Sequence, residues 1–299
     1  MKFICNRQDL AKGISTVIKA TYNKFQRSIL ECIHICAADQ VTMDAFDTVT
    51  AIRTNIYAQV EEGGETAIPA RILQEIVNKM PDGEITIARK STGSILISGG
   101  RSSVTLQEMD AAQFPPFPAS EGDAFMMRAG DLKRLVDKTA FSAYMEEDKP
   151  IFTGILMESE EGGISAVAID GVRMAKNSVM TGGVPDVRAI VPAKSLKEVA
   201  RLLADENAEI GVAFSSNACF IQLENTSIYT RLLNGEFMNY NSIIAKTYKT
   251  RVRVETKLLA KSLEMVSVMA REDSSNLVRL SIGQNVIELE STSEYGAAV

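Results

Sequence analysis

Two segments of the sequence, 123 residues apart, follow the same pattern. Residues 68–77 read IPARILQEIV and residues 191–200 read VPAKSLKEVA, so each begins with an apolar residue, proline, alanine and a basic residue and then shows apolar residues at helical spacing. Proline is accepted at the beginning of a helix because no backbone N–H is needed there and its φ angle already suits the helix. Because internal repeats of this kind determine architecture, the pair predicts a structural unit that occurs at least twice.

Two further elements recur at a similar distance. Amphipathic helices are predicted to begin near Leu10, Leu132 and Leu259, because apolar residues follow each at intervals of three and four. Runs rich in β-forming residues, interrupted by short turns, predict hairpins at 32–52, 94–106, 155–175, 218–232 and 278–290. A unit of about 122 residues is therefore expected twice in full and a third time in part.

These elements predict an α+β fold made of repeated domains, in which paired helices pack on antiparallel sheets. We expect the domains at 1–120, 121–248 and 249–299, with the proline-rich segment 115–122 at the first boundary. A third copy that begins near residue 250 would be complete about 73 residues after Val299, so we expect the third domain to be incomplete in this chain.

Composition limits the class of protein. The chain has 299 residues, 45% of them hydrophobic, and no apolar run of the roughly 18 residues that a membrane span requires. We see no signal peptide at the N-terminus, and four cysteines in a chain of this length do not form a disulfide framework. These observations predict a reduced, cytoplasmic protein. The sequence has no P-loop and no dinucleotide-binding fingerprint, so no cofactor is expected.

The charge is unevenly distributed. The chain carries a net charge of −6, which by itself argues against nucleic-acid binding. Five helical windows, 9–21, 71–79, 131–142, 194–204 and 257–270, nevertheless contain 12 basic and 6 acidic residues, so they carry +6 and the remainder −12. If the helices share one surface, that surface is a positive track for phosphates. Alternatively, lysine is simply a good helix former on a solvated face.

Residues that could carry chemistry are few. His34 is the only histidine, and Cys32, His34 and Cys36 alternate along one predicted strand. This spacing is not that of a zinc knuckle and no second Cys/His pair occurs, so we expect strand packing and no metal. Asp47 and Asp170 are related by the repeat; they could serve a hydrolase or simply hydrogen-bond their own turns.

The sequence resembles the DNA polymerase III beta subunit, the bacterial sliding clamp, along its whole length. Besides the two repeat segments, the resemblance rests on the order and spacing of several short motifs. These are MKF at 1–3, SGGR at 98–101, DAAQFP at 110–115, AIDGVRMA at 168–175 and NGEF at 234–237. No catalytic residue is expected, because the resemblance implies a non-catalytic processivity subunit.

The resemblance also implies a ring. Members of this family have three similar domains, and two chains join head to tail around duplex DNA, with helices lining the hole. The residues that it places on the DNA side are Lys24, Arg71, Arg101, Lys194, Lys197 and Arg201. The implied partners are duplex DNA without sequence preference, the DNA polymerase III alpha subunit, the clamp-loader complex, other proteins with clamp-binding motifs, and a second copy of the chain.

A hydrophobic pocket between the second and third domains is implied for partner peptides. Its matching positions are Phe152, Ile169, Gly171, Val172, Arg173, Met174, Met238 and Ile243. Ile169 and Met174 could instead belong to the core. The family usually has TDGHRL where this chain has IDGVRM at 169–174, and Met238 and Ser242 replace a usual proline and arginine, so we expect a more apolar pocket. Its C-terminal wall is expected beyond Val299.

Three hypotheses follow. The first is a sliding clamp. The second is a regulatory paralogue of the clamp that binds partners without encircling DNA. The third is a repeat-domain hydrolase that uses Asp47 or Asp170. A clamp requires the helices to gather on one basic surface, whereas a hydrolase requires a cluster of carboxylates in a pocket. If the 299 residues are the whole polypeptide, we expect a monomer or irregular oligomer with poor peptide affinity, and a longer chain should form a stable homodimer.

Overall fold

A computed structural model describes residues 1–22, 28–91, 93–120, 122–146 and 148–299. The chain divides into two compact units, Met1–Met238 and Asn239–Val299, which are described separately. The domain boundaries expected at 120 and 248 stay predictions.

The first half of the larger unit contains two helices and nine strands. The helices are α1 (Arg7–Val17) and α2 (Ala70–Lys79). The strands are β1 (Lys2–Asn6), β2 (Cys32–Ala37), β3 (Val41–Phe46), β4 (Thr50–Ile56), β5 (Ala58–Glu62), β6 (Gly64–Pro69), β7 (Glu84–Ser91), β8 (Ser94–Gly99) and β9 (Ser102–Gln107). Short 3-10 turns occupy Ile18–Ala20, Ile29–Glu31 and Ala111–Gln113.

The second half of this unit repeats the pattern with one strand fewer. Its helices are α3 (Ala129–Thr139) and α4 (Ala193–Leu202). Its strands are β10 (Ala124–Arg128), β11 (Gly154–Glu160), β12 (Gly163–Ile169), β13 (Met174–Met180), β14 (Arg188–Pro192), β15 (Glu209–Phe214), β16 (Ala218–Gln222) and β17 (Thr226–Arg231). Its 3-10 turns are Ala140–Ser142 and Pro150–Thr153.

The helices form where the amphipathic spacing predicts them. Both α2 and α4 begin directly after the proline of the repeated segment, Pro69 or Pro192, each with φ of −53°. Each helix turns an apolar stripe into the core, with Leu73 and Val77 buried on α2 and Leu196 and Val199 on α4. Helix α1 is capped by Asn6, whose side chain accepts a hydrogen bond from the backbone N–H of Gln8 at 2.8 Å.

The two halves have the same antiparallel strand order. Strands β6-β2-β3-β4 of the first half correspond to β14-β11-β12-β13 of the second, and β1-β7-β8-β9 correspond to β10-β15-β16-β17. Strand β17 pairs with β4, so that Ile228 lies opposite Ile52 and Thr226 opposite Thr54. This pairing joins the halves into one eight-stranded sheet, β10-β15-β16-β17-β4-β3-β2-β6.

The helices of the larger unit form one row. Helix α1 packs on α2, and α3 packs on α4. Lys12 and Thr16 of α1 share a cleft with Leu202 and Leu203 at the end of α4, so α1 and α4 are neighbours. The order is therefore α2, α1, α4, α3, and the apolar stripes of these helices belong to one hydrophobic core that includes residues of both halves.

The smaller unit packs one helix on a three-stranded sheet. Helix α5 is Thr256–Arg271, and the strands are β18 (Arg279–Gly283), β19 (Val286–Ser293) and β20 (Gly296–Ala298), in the order β18-β19-β20. Val266 and Ala270 are buried on the helix, and the Ser291 hydroxyl donates a hydrogen bond to the Val266 carbonyl at 2.6 Å. A 3-10 turn occupies Tyr240–Ser242. No helix in the described ranges is long and apolar enough to span a membrane.

Candidate functional site

Three basic residues lie on one side of α4. Lys194, Lys197 and Arg201 are separated by three and four positions, so they share a face of the helix. Lys194 and Arg201 are exposed and Lys197 is half-buried, whereas Leu196 and Val199 are buried. Three of the basic residues that the family resemblance implies for the DNA side therefore form a continuous group.

This group borders a cleft between the two halves of the larger unit, with a volume of about 750 Å³. The second half contributes Lys194, Lys197 and Arg201, and the first half contributes Lys19 and the turn that leads into β4. Much of the remaining wall is apolar, including Val49 of that turn. A cleft with cations along one border suits phosphate groups because their charges are complementary.

Lys19 is a site residue that the sequence did not single out. It lies in the 3-10 turn after α1, and its surroundings include Glu198 and Arg201 of α4. Burial lowers the pKa of Lys19 below its ordinary value of 10.5, while Glu198 acts to raise it and Arg201 acts to lower it. Lys19 lies in the helical window 9–21 and is one of its basic residues, but only the tertiary structure places it beside α4.

The other predicted DNA-side residues lie elsewhere. Arg71 is exposed in the first turn of α2, and Arg101 is exposed in the turn between β8 and β9, after Gly100 with φ of +57°. Neither is among the described residues that line the cleft. Lys24 falls outside the described residues.

The predicted peptide-binding residues cluster around the turn between β12 and β13. One carboxylate oxygen of Asp170 accepts hydrogen bonds from the backbone N–H groups of Val172 and Arg173, each at 2.9 Å, and the other accepts from the Arg173 guanidinium at 2.8 Å. These bonds lower the pKa of Asp170 to about 2. Gly171 adopts φ of +94°, and the turn presents Val172 with 96% of its surface exposed.

Aromatic residues continue this surface. The Arg173 guanidinium carbon lies 5.8 Å from the centre of the Phe141 ring, which is itself exposed. Phe152 packs edge-on against Phe237 with ring centres 6.3 Å apart. The backbone N–H of Tyr144 donates to the Phe152 carbonyl at 2.8 Å, which joins the segment that follows Phe141 to the turn that contains Phe152.

The remaining predicted pocket residues differ in exposure. Ile169 is only 3% exposed, so core packing describes it better than peptide contact does. Met174 is half-buried, and Met238, at the end of the larger unit, is 38% exposed. Ile243 is exposed and belongs to the smaller unit.

The carboxylates proposed for a hydrolase stabilise their own turns. Asp47 accepts hydrogen bonds from the backbone N–H groups of Val49 and Thr50 at 3.0 and 2.7 Å, as Asp170 does in the second half. Both aspartates therefore hydrogen-bond their own turns, which was the alternative to a catalytic role.

His34 takes part in a hydrogen-bonding network on the eight-stranded sheet. Its ring nitrogens lie 3.4 Å from carboxylate oxygens of Asp44 and Glu65, and Asp44 also accepts two bonds from Arg53 at 2.7 and 2.8 Å. The ring stacks on Phe114, with centres 5.2 Å apart. Within the described ranges, no group of three or more Cys, His, Asp or Glu residues is arranged to hold a metal ion.

Comparisons with known proteins agree with this architecture. Residues 1–118 match the family model of the DNA polymerase III beta subunit, N-terminal domain, and residues 127–239 match that of its central domain. Together the two models cover more than three quarters of the chain. The chain belongs to the DNA polymerase III beta-subunit family.

Individual relatives are similar over nearly all of this chain. The beta sliding clamps of Staphylococcus aureus and Staphylococcus epidermidis are each 25% identical to it over 304 residues, covering 98% of this chain and 81% of the relative. The sliding clamp of Bacillus subtilis superposes with a TM-score of 0.94 at 27% identity, and the beta subunit of Thermotoga maritima with 0.90 at 25%. Each structure is matched over 82% of its length by all or nearly all of this chain, 100% and 99% respectively.

Family membership decides between the classes of function. The chain is a replication processivity clamp, and clamps of this family are non-catalytic subunits. The resemblance inferred from the sequence and the repeated α+β fold are both confirmed. The hydrolase hypothesis is not supported, because its two carboxylates are used in separate turns.

Proposed function

We propose that the cation group of α4, together with Lys19 and Arg71, contacts the phosphates of a DNA duplex that the protein encircles. The observation that carries this proposal is the cleft bordered by Lys19, Lys194, Lys197 and Arg201 in a chain whose net charge is −6. An acidic protein that concentrates cations beside a row of helices has a local surface that attracts phosphate.

Such contacts carry no sequence information. Lysine and arginine side chains that reach phosphate oxygens hold a duplex in position, whereas sequence is read at base edges and through the shape of the DNA. The cleft is lined by these cations, by apolar residues and by the carboxylates Asp47 and Glu198. The expected binding is therefore weak, independent of sequence and strongly dependent on salt. These properties suit a clamp that must move along any sequence.

The test is a quadruple variant in which Arg71, Lys194, Lys197 and Arg201 are changed to alanine. Fluorescence anisotropy with two labelled duplexes of unrelated sequence should show weaker binding of both, by the same factor. The slope of log K against log salt should become shallower, by about 0.9 for each phosphate that the protein no longer neutralises. Unchanged affinity, or a loss confined to one duplex, would contradict the proposal.

We also propose that the surface around the β12–β13 turn receives short peptides from the DNA polymerase III alpha subunit, the clamp loader and other clamp-binding proteins. Val172 is almost fully exposed, and Phe141 and Met238 are exposed apolar residues of the same unit. Exposed apolar and methionine side chains suit peptides of varied sequence, because flexible thioethers adapt to different partners.

Val172→Asp tests the peptide surface. A charge at a desolvated contact should lower the affinity for a fluorescent polymerase-tail peptide about tenfold or more, since each 1.4 kcal/mol of lost binding free energy corresponds to tenfold in affinity. Ile72→Asp on α2 is the matched control, because Ile72 is also exposed and apolar but lies on another element. Equal effects of the two substitutions would argue against this surface. If peptides bind and duplexes do not, the chain is a regulatory paralogue.

Self-assembly into a ring is the third part of the proposal. Strand β9 is the last strand of its sheet, whereas its counterpart β17 pairs with β4 of the other half. An edge strand offers unpaired backbone groups to a further strand, and the internal pairing shows the kind of contact it could make. We therefore expect a head-to-tail homodimer, which light scattering would detect as twice the monomer mass. A concentration-independent monomer would contradict it.

We further propose that the protein works in the cytoplasm. Its four cysteines are free, and three of them, Cys5, Cys32 and Cys219, are buried. Free thiols are typical of reducing compartments. Location of a fluorescent fusion in the cell tests this.

A further inference from the structure

One acidic residue lies within the cation group. Glu198 borders the same cleft as Lys19, Lys194, Lys197 and Arg201. Its carboxylate forms an ion pair with the Arg201 guanidinium one turn further along α4, and it also acts electrostatically on Lys19 across the cleft. The Glu198 side chain is 23% exposed and that of Arg201 is 65% exposed, so the cation can still be reached by a ligand.

We propose that Glu198 is a built-in counter-charge that competes with DNA phosphates for Arg201 and Lys19 and so keeps the duplex contact weak. This inference rests on the proposed contact between α4 and DNA. Glu198 is a positioning residue, because it acts through the two cations and need not touch the duplex.

The physical basis is competition between two anions. A carboxylate held on the same helix occupies the guanidinium before a phosphate arrives, and the phosphate must displace it. The binding free energy of the duplex is then the difference between two similar charge-assisted interactions. A clamp benefits from this arrangement, since each phosphate that is firmly neutralised adds to the affinity that must be overcome during movement.

The internal repeat has a carboxylate at the position of Glu198 in both copies, but only α4 has a cation three positions further along the helix. Positions 194, 197, 198 and 201 of α4 correspond, at the offset of 123, to Arg71, Gln74, Glu75 and Asn78 of α2. Helix α2 therefore has one cation and one carboxylate at these positions, and α4 has three cations and one carboxylate. Asn78 of α2 occupies the position of Arg201, and an asparagine side chain cannot form the ion pair that Arg201 makes with Glu198.

Glu198→Gln tests the proposal, because it removes the charge and keeps the size of the side chain. Glu161→Gln is the control: it makes the same change in net charge at an exposed turn between β11 and β12, away from the cleft. Binding of a labelled duplex is measured by anisotropy between roughly 50 and 200 mM salt. The ratio of the affinity at about 50 mM salt to that at about 200 mM salt should rise about 3.5-fold for each additional phosphate that the variant neutralises. This factor follows because the affinity falls with salt concentration to a power of about 0.9 per phosphate.

The expected result is tighter binding and a steeper salt dependence for Glu198→Gln, with little change for Glu161→Gln. Glu198→Asp, which keeps the charge, should stay close to the unmodified protein. In a background of Arg201→Gln the effect of Glu198→Gln should shrink, because its main target is gone. A purely structural role of Glu198 would change thermal unfolding and leave the salt slope as it was.

Two outcomes would overturn the inference. Equal effects of Glu198→Gln and Glu161→Gln on duplex affinity would mean that only the net charge of the protein matters. Weaker binding by Glu198→Gln would mean that Glu198 orients Arg201 for DNA. Failure of the underlying proposal is distinguishable, because then the quadruple alanine variant would bind duplexes as tightly as the unmodified protein.

Discussion

The hydroxyl oxygens of Thr50 and Ser195 lie 2.7 Å apart, although the residues are 145 positions apart in the chain. Thr50 begins β4 in the first half, and Ser195 lies in the first turn of α4 in the second half; each is only 5% exposed. A buried hydroxyl that loses its partner bears the full cost of its desolvation. This hydrogen bond therefore connects the β4–β17 junction to the helix that carries the cation group.

The Thr50–Ser195 bond should be visible as energetic coupling. We expect Thr50→Val and Ser195→Ala each to lower the free energy of unfolding by about 1–3 kcal/mol, because each leaves one buried hydroxyl unsatisfied. The double variant should be less destabilised than the sum, since neither hydroxyl remains alone. Urea unfolding of the four proteins gives the coupling energy. Strict additivity would mean that the two hydroxyls do not interact.

His34 should make stability depend on pH near neutrality. Burial of the ring lowers the pKa of His34, but hydrogen bonds and charge from Asp44 and then Glu65 outweigh it, so the pKa lies above 6.5. A raised pKa in the folded state means that stabilisation is fully present below pH 6.5 and is lost as the pH rises through the folded-state pKa. We expect the free energy of unfolding to fall as the pH rises through this window, because the folded protein then loses the favourable interaction of the charged ring with Asp44 and Glu65.

The control for this prediction is His34→Gln, which keeps hydrogen-bonding capacity and cannot become charged. His34 is the only histidine in the sequence, so the variant should show a flatter profile between about pH 6 and 8. Chemical unfolding at several pH values compares the two proteins. Parallel profiles would mean that the charge on His34 contributes nothing to folding.

Gly163 should tolerate no side chain. A Cβ atom at this position in β12 would lie 2.0 Å from the Val179 carbonyl oxygen and 3.0 Å from the Met180 Cα atom, both backbone atoms of β13. Gly163→Ala should therefore destabilise the protein by about 1–3 kcal/mol or more, because the sheet itself must shift. Gly182→Ala is the matched control, since nothing lies within 4 Å of its Cβ position. Thermal unfolding distinguishes them, and equal melting temperatures would refute the prediction.

Asp170 should hold the β12–β13 turn through its oxygen acceptors more than through its charge. Asp170→Asn keeps an oxygen that can accept from the Val172 and Arg173 N–H groups, whereas Asp170→Ala removes it. We expect faster amide exchange at these residues and weaker peptide binding mainly in the alanine variant. Because the pKa of Asp170 is about 2, the carboxylate contribution is present above pH 3.8 and is lost only as the pH falls through about 2.

Much of the fold could be predicted because its signals are local. The helix windows match the observed helices to within one or two residues at most ends, except where 3-10 turns follow Val17 and Thr139. Apolar spacing and proline position decide helices, and short turns between β-rich runs decide hairpins. The candidate site was predicted in part: Lys194, Lys197 and Arg201 come together on α4, whereas Arg71 and Arg101 lie apart from the cleft.

The sequence by itself determined the repeated unit, the family and the basic character of α4, because each is written in the identity and spacing of neighbouring residues. Only the tertiary structure decided that β17 pairs with β4, that Lys19 and Glu198 border the same cleft, and that Phe114 stacks on His34. The pairing of strands more than 170 residues apart cannot be predicted from a local sequence pattern, because the backbone groups that form its hydrogen bonds are the same in nearly every residue. The cleft contains charged residues of both halves, so its charge depends on the pairing of β17 with β4 that brings the halves together.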